Sequence, residues 1–348
     1  MLTDILCIVA GFILLVKGGD ILVDGSVAIA RRARLSPMVI GLTVMGFGTS
    51  APELLVSAQA ALRDSAGIAL GNVAGSNIAN IGMILGLTSM MRPLPVERKT
   101  LLVDMPFMLL AMGMLVGCAA WGGVIQRWMG AIMMLMLISF IVWEIRGERK
   151  GNAQHSAPNA SPSAEASAPA VEETSPSPAA AEAPAVEETS PVMPLWKALG
   201  LVILSLAAMV WGSDLLVDGA SNVALRLGDM MGADKAEMER LVGLTVVAIG
   251  TSLPELFASV MAARKGETSM AVGNIIGSVS FNVLCVVGVS SMISPIHNAW
   301  HSFSTDYTVM CLMGLLLWLF LRTGYKMVRW EGLILLLSYI AYVWWVIF

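Results

Sequence analysis

Two glutamates, Glu53 and Glu255, stand inside long apolar stretches of the chain. An ionisable side chain at membrane depth is costly unless it faces a partner or a polar cavity. Around Glu53, the residues Thr43, Gly46, Ser50, Glu53 and Ser57 recur at three- and four-residue steps. That spacing lays them down one face of a helix. Thr245, Ala248, Ser252, Glu255 and Ser259 repeat the stripe, and Thr49 and Thr251 each stand about one turn before their glutamate. Pro52 and Pro254 add a backbone effect. A proline within a helix removes the bond to the carbonyl four residues earlier. That exposes carbonyl oxygen near Gly48 and Thr49, and near Gly250 and Thr251. Ser76 and Asn80 are four apart, as are Ser278 and Asn282. Carboxylate, hydroxyl, amide and carbonyl oxygens together make the all-oxygen shell that hard cations require. Two carboxylates balance one divalent ion or two monovalent ions. Competition between those occupancies is a physical basis for antiport.

The elements that must carry these groups come in duplicate. GLTVMGFGTSAPELLVSAQAAL from Gly41 matches GLTVVAIGTSLPELFASVMAAR from Gly243, and GIALGNVAGSNIANIGMILG then matches SMAVGNIIGSVSFNVLCVVG. The two blocks align without a gap at an offset of 202 residues, with about 20 of 46 positions identical. Each half opens on a related pattern, GGDILVDG at Gly18 and GSDLLVDG at Gly212. A single intramembrane Ser or Thr ordinarily bonds its own helix, and a single Asn can be interhelical glue. Duplication of both glutamates, both prolines and both Ser–Asn pairs in register points instead to a site.

Composition places these elements in a bilayer. The 348 residues are 57% hydrophobic and only 13% charged, with mean hydropathy +0.77. So few charges cannot cover a soluble domain, and the apolar blocks reach the length of a membrane-spanning helix. Ten spans are expected, at 3–29, 38–62, 68–91, 101–120, 128–146, 195–219, 241–264, 267–293, 305–322 and 330–348. The first reads as a retained span, because it lacks the basic start of a signal peptide. The segment 147–194 is rich in Ala, Pro, Ser and Glu and is expected to be a disordered linker. It separates a first repeat, 1–146, from a second, 195–348. Five spans is an odd number, so two copies in series cross the membrane in opposite directions, a hallmark of secondary transporters. Fifteen basic residues fall in one set of loops and five in the other. By the positive-inside rule, the linker is expected in the cytoplasm and both termini outside. The four cysteines read as ordinary apolar residues. Asp20, Asp24, Asp214 and Asp218 read as polar anchors near helix ends.

The G-T-S-x-P-E and G-N-x-x-G-S blocks resemble those of the calcium/cation antiporter superfamily, in particular its prokaryotic sodium/calcium exchanger branch. The resemblance covers all ten expected spans. It implies an all-α membrane protein of ten transmembrane helices in two inverted five-helix repeats, located in the plasma (inner) membrane of a prokaryote. It implies an antiporter with no cofactor, whose partners are sodium and calcium ions and the lipid bilayer. By motif position, the implied cation ligands are Glu53, Glu255, Thr49, Thr251, Ser50, Ser252, Ser76, Ser278, Asn80 and Asn282, with backbone carbonyls from Gly46 and Ala248. The first and sixth spans would slide against the rest.

Two features depart from related branches. Asn282 replaces an Asp found in some members, which argues against a potassium requirement. Gly75 and Gly277 stand where proton-coupled relatives carry Glu. The alternative is a proton- or potassium-coupled exchanger on the same fold. A passive channel would not need two inverted halves. For a hydrolase built on Ser50 or Ser252, no embedded His or Lys sits at an obvious base position. Nothing reads as nucleic-acid binding, and oligomeric state is not legible.

Overall fold

A computed structural model describes residues 2–63, 67–155, 193–230, 250–297 and 299–347. The first helix, α1 (Leu2–Ala33), runs past its expected end and stops where Arg34 takes a left-handed φ of 54°. The Leu35 amide then donates to the Ala30 carbonyl at 3.0 Å, the backbone closure typical of a helix C-terminus. Ser36 restarts the chain as an N-cap, its hydroxyl accepting from the Val39 amide, with Pro37 at the first position that tolerates it. Helices α2 (Pro37–Thr49) and α3 (Ala51–Leu62) form one apolar rod bent by 44°. There follow α4 (Ile68–Met91), α5 (Thr100–Ala120), α6 (Arg127–His155), α7 (Leu195–Met230), α8 (Leu253–Lys265), α9 (Thr268–Ile293), α10 (Ala299–Arg322) and α11 (Arg329–Ile347). Seven helices are long and apolar enough to cross a membrane, or eight if the bent pair counts as one, among the described residues.

Other helix boundaries also differ from expectation. The helix α7 runs on to Met230 rather than ending near 219. The helix α6 runs on to His155 rather than ending near 146, into the segment expected as linker. Its extra turns have a tertiary anchor, since Lys99 pairs with both Glu144 and Glu148, and Glu148 also accepts from the Ser36 amide at 3.2 Å. The greater part of the expected linker lies outside the described residues. Short π-helical turns also interrupt the helices, at Gly41–Met45, Asn80–Leu85, Thr100–Asp104 and Asn282–Val286. Such turns are rare and frequently sit at functional positions.

The 202-residue offset of the sequence reappears in the packing. Leu94 and Pro95 (β1) pair with Met327 and Lys326 (β2), and Ile125 pairs with Ile296. Adding 202 turns Leu94 into Ile296 and Ile125 into Met327, so the two pairings are equivalents. The contact of Gly332 on α11 with the Gly86 carbonyl of α4 is repeated by Gly130 on α6 against the Gly288 carbonyl of α9.

The helices α1 and α7 lie antiparallel with backbones in contact. A Cβ on Gly212 would meet the Gly11 carbonyl at 3.0 Å, one on Gly219 the Asp4 carbonyl at 2.7 Å, one on Gly18 the Ser205 carbonyl at 3.2 Å and one on Gly25 the Ala198 carbonyl at 3.2 Å. The meeting points thus recur every seventh position along both helices, at small residues except for Asp4, which lets the backbones interlock. The sequence carries this heptad openly, but a hydropathy reading does not separate it from other glycines in an apolar span.

Candidate cation site

The site begins with the break between α2 and α3. Ser50 has φ −85° and ψ 7°, and α3 starts immediately after it with Pro52 in its first turn. Proline therefore does not merely kink a continuous helix; it opens a new half-helix, with Glu53 in its first turn. Ser252 repeats that geometry at φ −91° and ψ 4°, with Pro254 and Glu255 opening α8. The partial positive charge of each helix N-terminus favours a carboxylate there. Both glutamates are fully buried.

The two halves interlock through glycine. A Cβ on Gly46 would meet Gly277 backbone at 3.0 Å, and one on Gly277 would meet Leu42 Cα at 2.8 Å, so α2 and α9 touch along their backbones. Contact this close brings groups from opposite halves within hydrogen-bond reach. The Ser50 hydroxyl donates to Glu255 Oε1 at 3.1 Å. The Thr49 hydroxyl lies 3.3 Å from Asn274 Oδ1 and 3.3 Å from the Ser278 hydroxyl, and Ser278 donates to the Gly46 carbonyl at 3.4 Å. Gly46, Thr49, Ser50, Glu255 and Ser278 are thereby joined in one cluster.

A second group of side chains is buried without partners. Both Glu53 oxygens, Glu255 Oε2, both amide atoms of Asn80, Asn282 Oδ1 and the Ser252 hydroxyl have no hydrogen-bond partner among the described residues. Ser50, on the turn that leads into the Glu53 half-helix, bonds Glu255, which brings Glu53 and Glu255 to the same crossing of the two halves. Neither has an ion-pair partner among the described residues. A buried carboxylate without a counter-charge is strongly destabilising, so this arrangement suits a cation. Asn80 and Asn282 open the π-helical turns of α4 and α9. Ser76 is buried and Thr251 half-buried, and no hydrogen bond ties either to the others among the described residues. Ala248, together with Thr245, lies outside the described residues. Thr43 is taken up by its own helix, donating to the Val39 carbonyl at 2.6 Å.

Sequence reasoning missed a supporting pair. Asn72 Nδ2 donates to the Ser57 hydroxyl at 3.0 Å and lies 3.4 Å from the Glu53 carbonyl. Asn274 Nδ2 does the same to Ser259 at 3.0 Å and to the Glu255 carbonyl at 3.5 Å. Each asparagine pins the half-helix that carries its glutamate, and uses up the last serine of the stripe in doing so. The signal was present, since both are the Asn of the duplicated G-N-x-x-G-S block.

Comparison with known proteins agrees with this architecture. The chain matches the family model described as sodium/calcium exchanger protein over residues 3–146 and 197–348. It is 31% identical over 365 residues to the sodium/calcium exchanger MaX1 of Methanosarcina acetivorans, covering 97% of each chain. It is 31% identical over 316 residues to the inner membrane protein YrbG of Escherichia coli (strain K12), covering 91% of this chain and 88% of the other. Among solved structures, the sodium-calcium exchanger NCX_Mj soaked with sodium and strontium superposes with a TM-score of 0.76 at 30% identity, covering 98% of this chain and 97% of that one. With family model, full-length relatives and fold in agreement, this chain belongs to the sodium/calcium exchanger protein family of membrane cation antiporters.

Proposed function

We propose that the chain exchanges sodium for calcium across the membrane at one site, with Glu53 and Glu255 as its charged ligands. The ligand set is completed by Thr49, Thr251, Ser50, Ser252, Ser76, Ser278, Asn80 and Asn282 and by the carbonyls of Gly46 and Ala248. The observation that carries this reading is the group of buried, unpartnered oxygens on Glu53, Glu255, Asn80, Asn282 and Ser252, drawn from both halves. Calcium takes six to eight oxygens, and such a group supplies them. The recurrence of the Asn72 clamp at Asn274, and of the Leu94–Met327 pairing at Ile125–Ile296, supports two inverted five-helix repeats and ten spans. Under this reading the repeats are residues 1–146 and 195–348, the intervening linker is cytoplasmic and both termini are outside.

The charges set the coupling. Two glutamates supply two negative charges, and Asn80 and Asn282 are neutral at every pH. One calcium ion or two sodium ions balance the pair, so the two cations compete. A third sodium would leave the loaded site positive, and transport would then carry charge. Because both glutamates are shut off from solvent in this conformation, ions enter and leave only when helices move. Neutral Asn282, Gly75 and Gly277 weigh against potassium or proton coupling. The test is calcium uptake into proteoliposomes loaded with sodium, in potassium-free medium, with the membrane potential varied. Uptake that needs sodium and responds to potential is expected. Uptake indifferent to sodium would overturn the exchanger reading, and a strict potassium requirement would overturn the role of Asn282.

A further inference from the structure

The two asparagines of the proposed site are sequence equivalents but have different surroundings. Asn80 has neither amide atom partnered among the described residues. Asn282 donates its Nδ2 to Asn77 Oδ1 at 3.2 Å, which leaves Oδ1 as its only unpartnered atom. Asn77 is itself oriented from behind, because its Nδ2 points to the sulfur of Met310 on α10 at 3.6 Å. Asn77 is fully buried, and the position equivalent to it in the second half is the apolar Val279. Adding 202 to Asn77 gives 279, so the device exists once. Among the described residues, no counterpart stands behind Asn80.

An asparagine amide has two nearly isosteric ends of opposite polarity. Only the carbonyl end can bind a cation; the NH₂ end repels it. A buried amide with no fixed partner must therefore be turned to the right face when an ion arrives, and holding it in advance removes that cost. In the chain of dipoles from Asn282 through Asn77 to Met310, each NH₂ is turned toward the next member, so the Asn282 NH₂ is occupied and its carbonyl oxygen is left unpartnered.

We propose that Asn77 is a positioning residue that fixes the Asn282 amide with its carbonyl oxygen turned toward the transported cation. This rests on the exchanger reading above and deepens it. Asn77 does not touch the ion. It makes one ligand pre-set while Asn80, its partner across the pseudo-symmetry, stays adaptable.

The experiment is sodium-driven calcium uptake by the full-length chain in proteoliposomes, with Asn77→Ala placed in two backgrounds. In the native background, Asn77→Ala is expected to raise KM for calcium about tenfold, equivalent to about 1.4 kcal/mol, while the maximal rate changes by less than about twofold, the pattern of a lost uniform binding contribution. In an Asn282→Asp background the same change should move KM by less than about twofold, since a carboxylate presents oxygen whichever way it turns. Asn77→Asp keeps an acceptor opposite Asn282 and should restore KM to within about threefold of native, as expected if a single hydrogen bond is what was lost. Asn77→Ser, too short to reach, gives the same readout if the alanine variant does not insert. An equal KM increase in both backgrounds would mean that Asn77 only packs, and no increase in the native background would remove the orienting role. Failure of the exchanger reading is distinguishable, because the unmodified chain would then show no sodium-driven calcium uptake at all.

Discussion

The helices α9 and α1 are both apolar enough to cross a bilayer, yet they spend their surfaces differently. In α9, 94% of the most apolar eighteen-residue stretch is buried, and in α4 the figure is 72%; in α1 and α7 it is 28%. The buried helices carry the amides and hydroxyls, because a polar group needs protein around it where there is no water. The outer pair carries lipid-facing side chains such as Phe12, Ile13, Ile203 and Leu204, and a seam of small residues that fastens α1 to α7 alone. Between this pair and the core, apolar side chains of Leu15, Leu22 and Met209 share a buried cluster with Met45, Ala258 and Met261, and a few specific contacts are added to it among the described residues. Gly19 packs on the Phe257 carbonyl, Phe12 meets Phe257 edge-on, Ser213 donates to the Gly250 carbonyl, and Lys265 at the end of α8 pairs with Asp20 and Asp24 of α1 at 2.9 and 2.6 Å. The core is locked by interpenetrating backbones and hydrogen bonds. The pair is locked to itself and rests on the core. That contrast suits a rigid site with a unit that moves past it to open one side or the other.

The comparison can be broken at several points. The largest effect is expected in the core. Glu53→Gln and Glu255→Gln should each lower sodium-driven calcium flux by about 100-fold or more, the factor that goes with about 3 kcal/mol of ion binding, while the protein still inserts. Near-native flux in either variant would remove that glutamate from the site.

Next comes the seam. Gly11→Leu or Gly212→Leu forces bulk between touching backbones and should cost about 1–3 kcal/mol of stability, seen as a lower thermal midpoint in detergent, with a reduced transport rate. Gly113→Leu and Gly117→Leu on α5, where a side chain would meet nothing within 4 Å, serve as the matched controls and should leave both properties near native. Equal losses at all four positions would dissolve the distinction between seam and lipid face.

A smaller effect is expected from the contact between pair and core. Lys265→Gln removes a partly exposed ion pair, worth about 0–1 kcal/mol, so the exchange rate should change by no more than about fivefold and become less sensitive to salt. A complete loss of transport would show that Lys265 belongs to the site rather than to the moving boundary. The smallest effect is expected for deletion of residues 157–190, which supplies none of the proposed ligands; flux per inserted protein should stay within about twofold, the scatter expected where no interaction is removed.

Much of the candidate site is legible in the sequence. The duplicated G-T-S-x-P-E blocks mark Glu53 and Glu255, and the structure places both at the first turn of a half-helix. The proline was expected to distort a continuous helix; it opens a new one, because Ser50 and Ser252 already leave helical geometry before it. The asparagines of the G-N-x-x-G-S blocks were visible as letters, but their clamping of Ser57 and Ser259 was not, since it needs two helices at a known crossing. The end of α6 was placed too early because Glu148 reads as a surface residue until Lys99 and Ser36 are seen beside it.

By itself, the sequence determined that the chain spans a membrane, that it is built twice, and which oxygens repeat in register. Those follow from hydropathy, from a 202-residue self-match and from residue type, all of which are local or periodic. Tertiary structure alone decided that the halves meet through Gly46 and Gly277, that α1 and α7 share a seam, and that Asn282 is held by Asn77 while Asn80 is not. Each of these depends on which faces of distant helices touch, and a contact between residues about 200 positions apart leaves no period in a single chain from which it could be read.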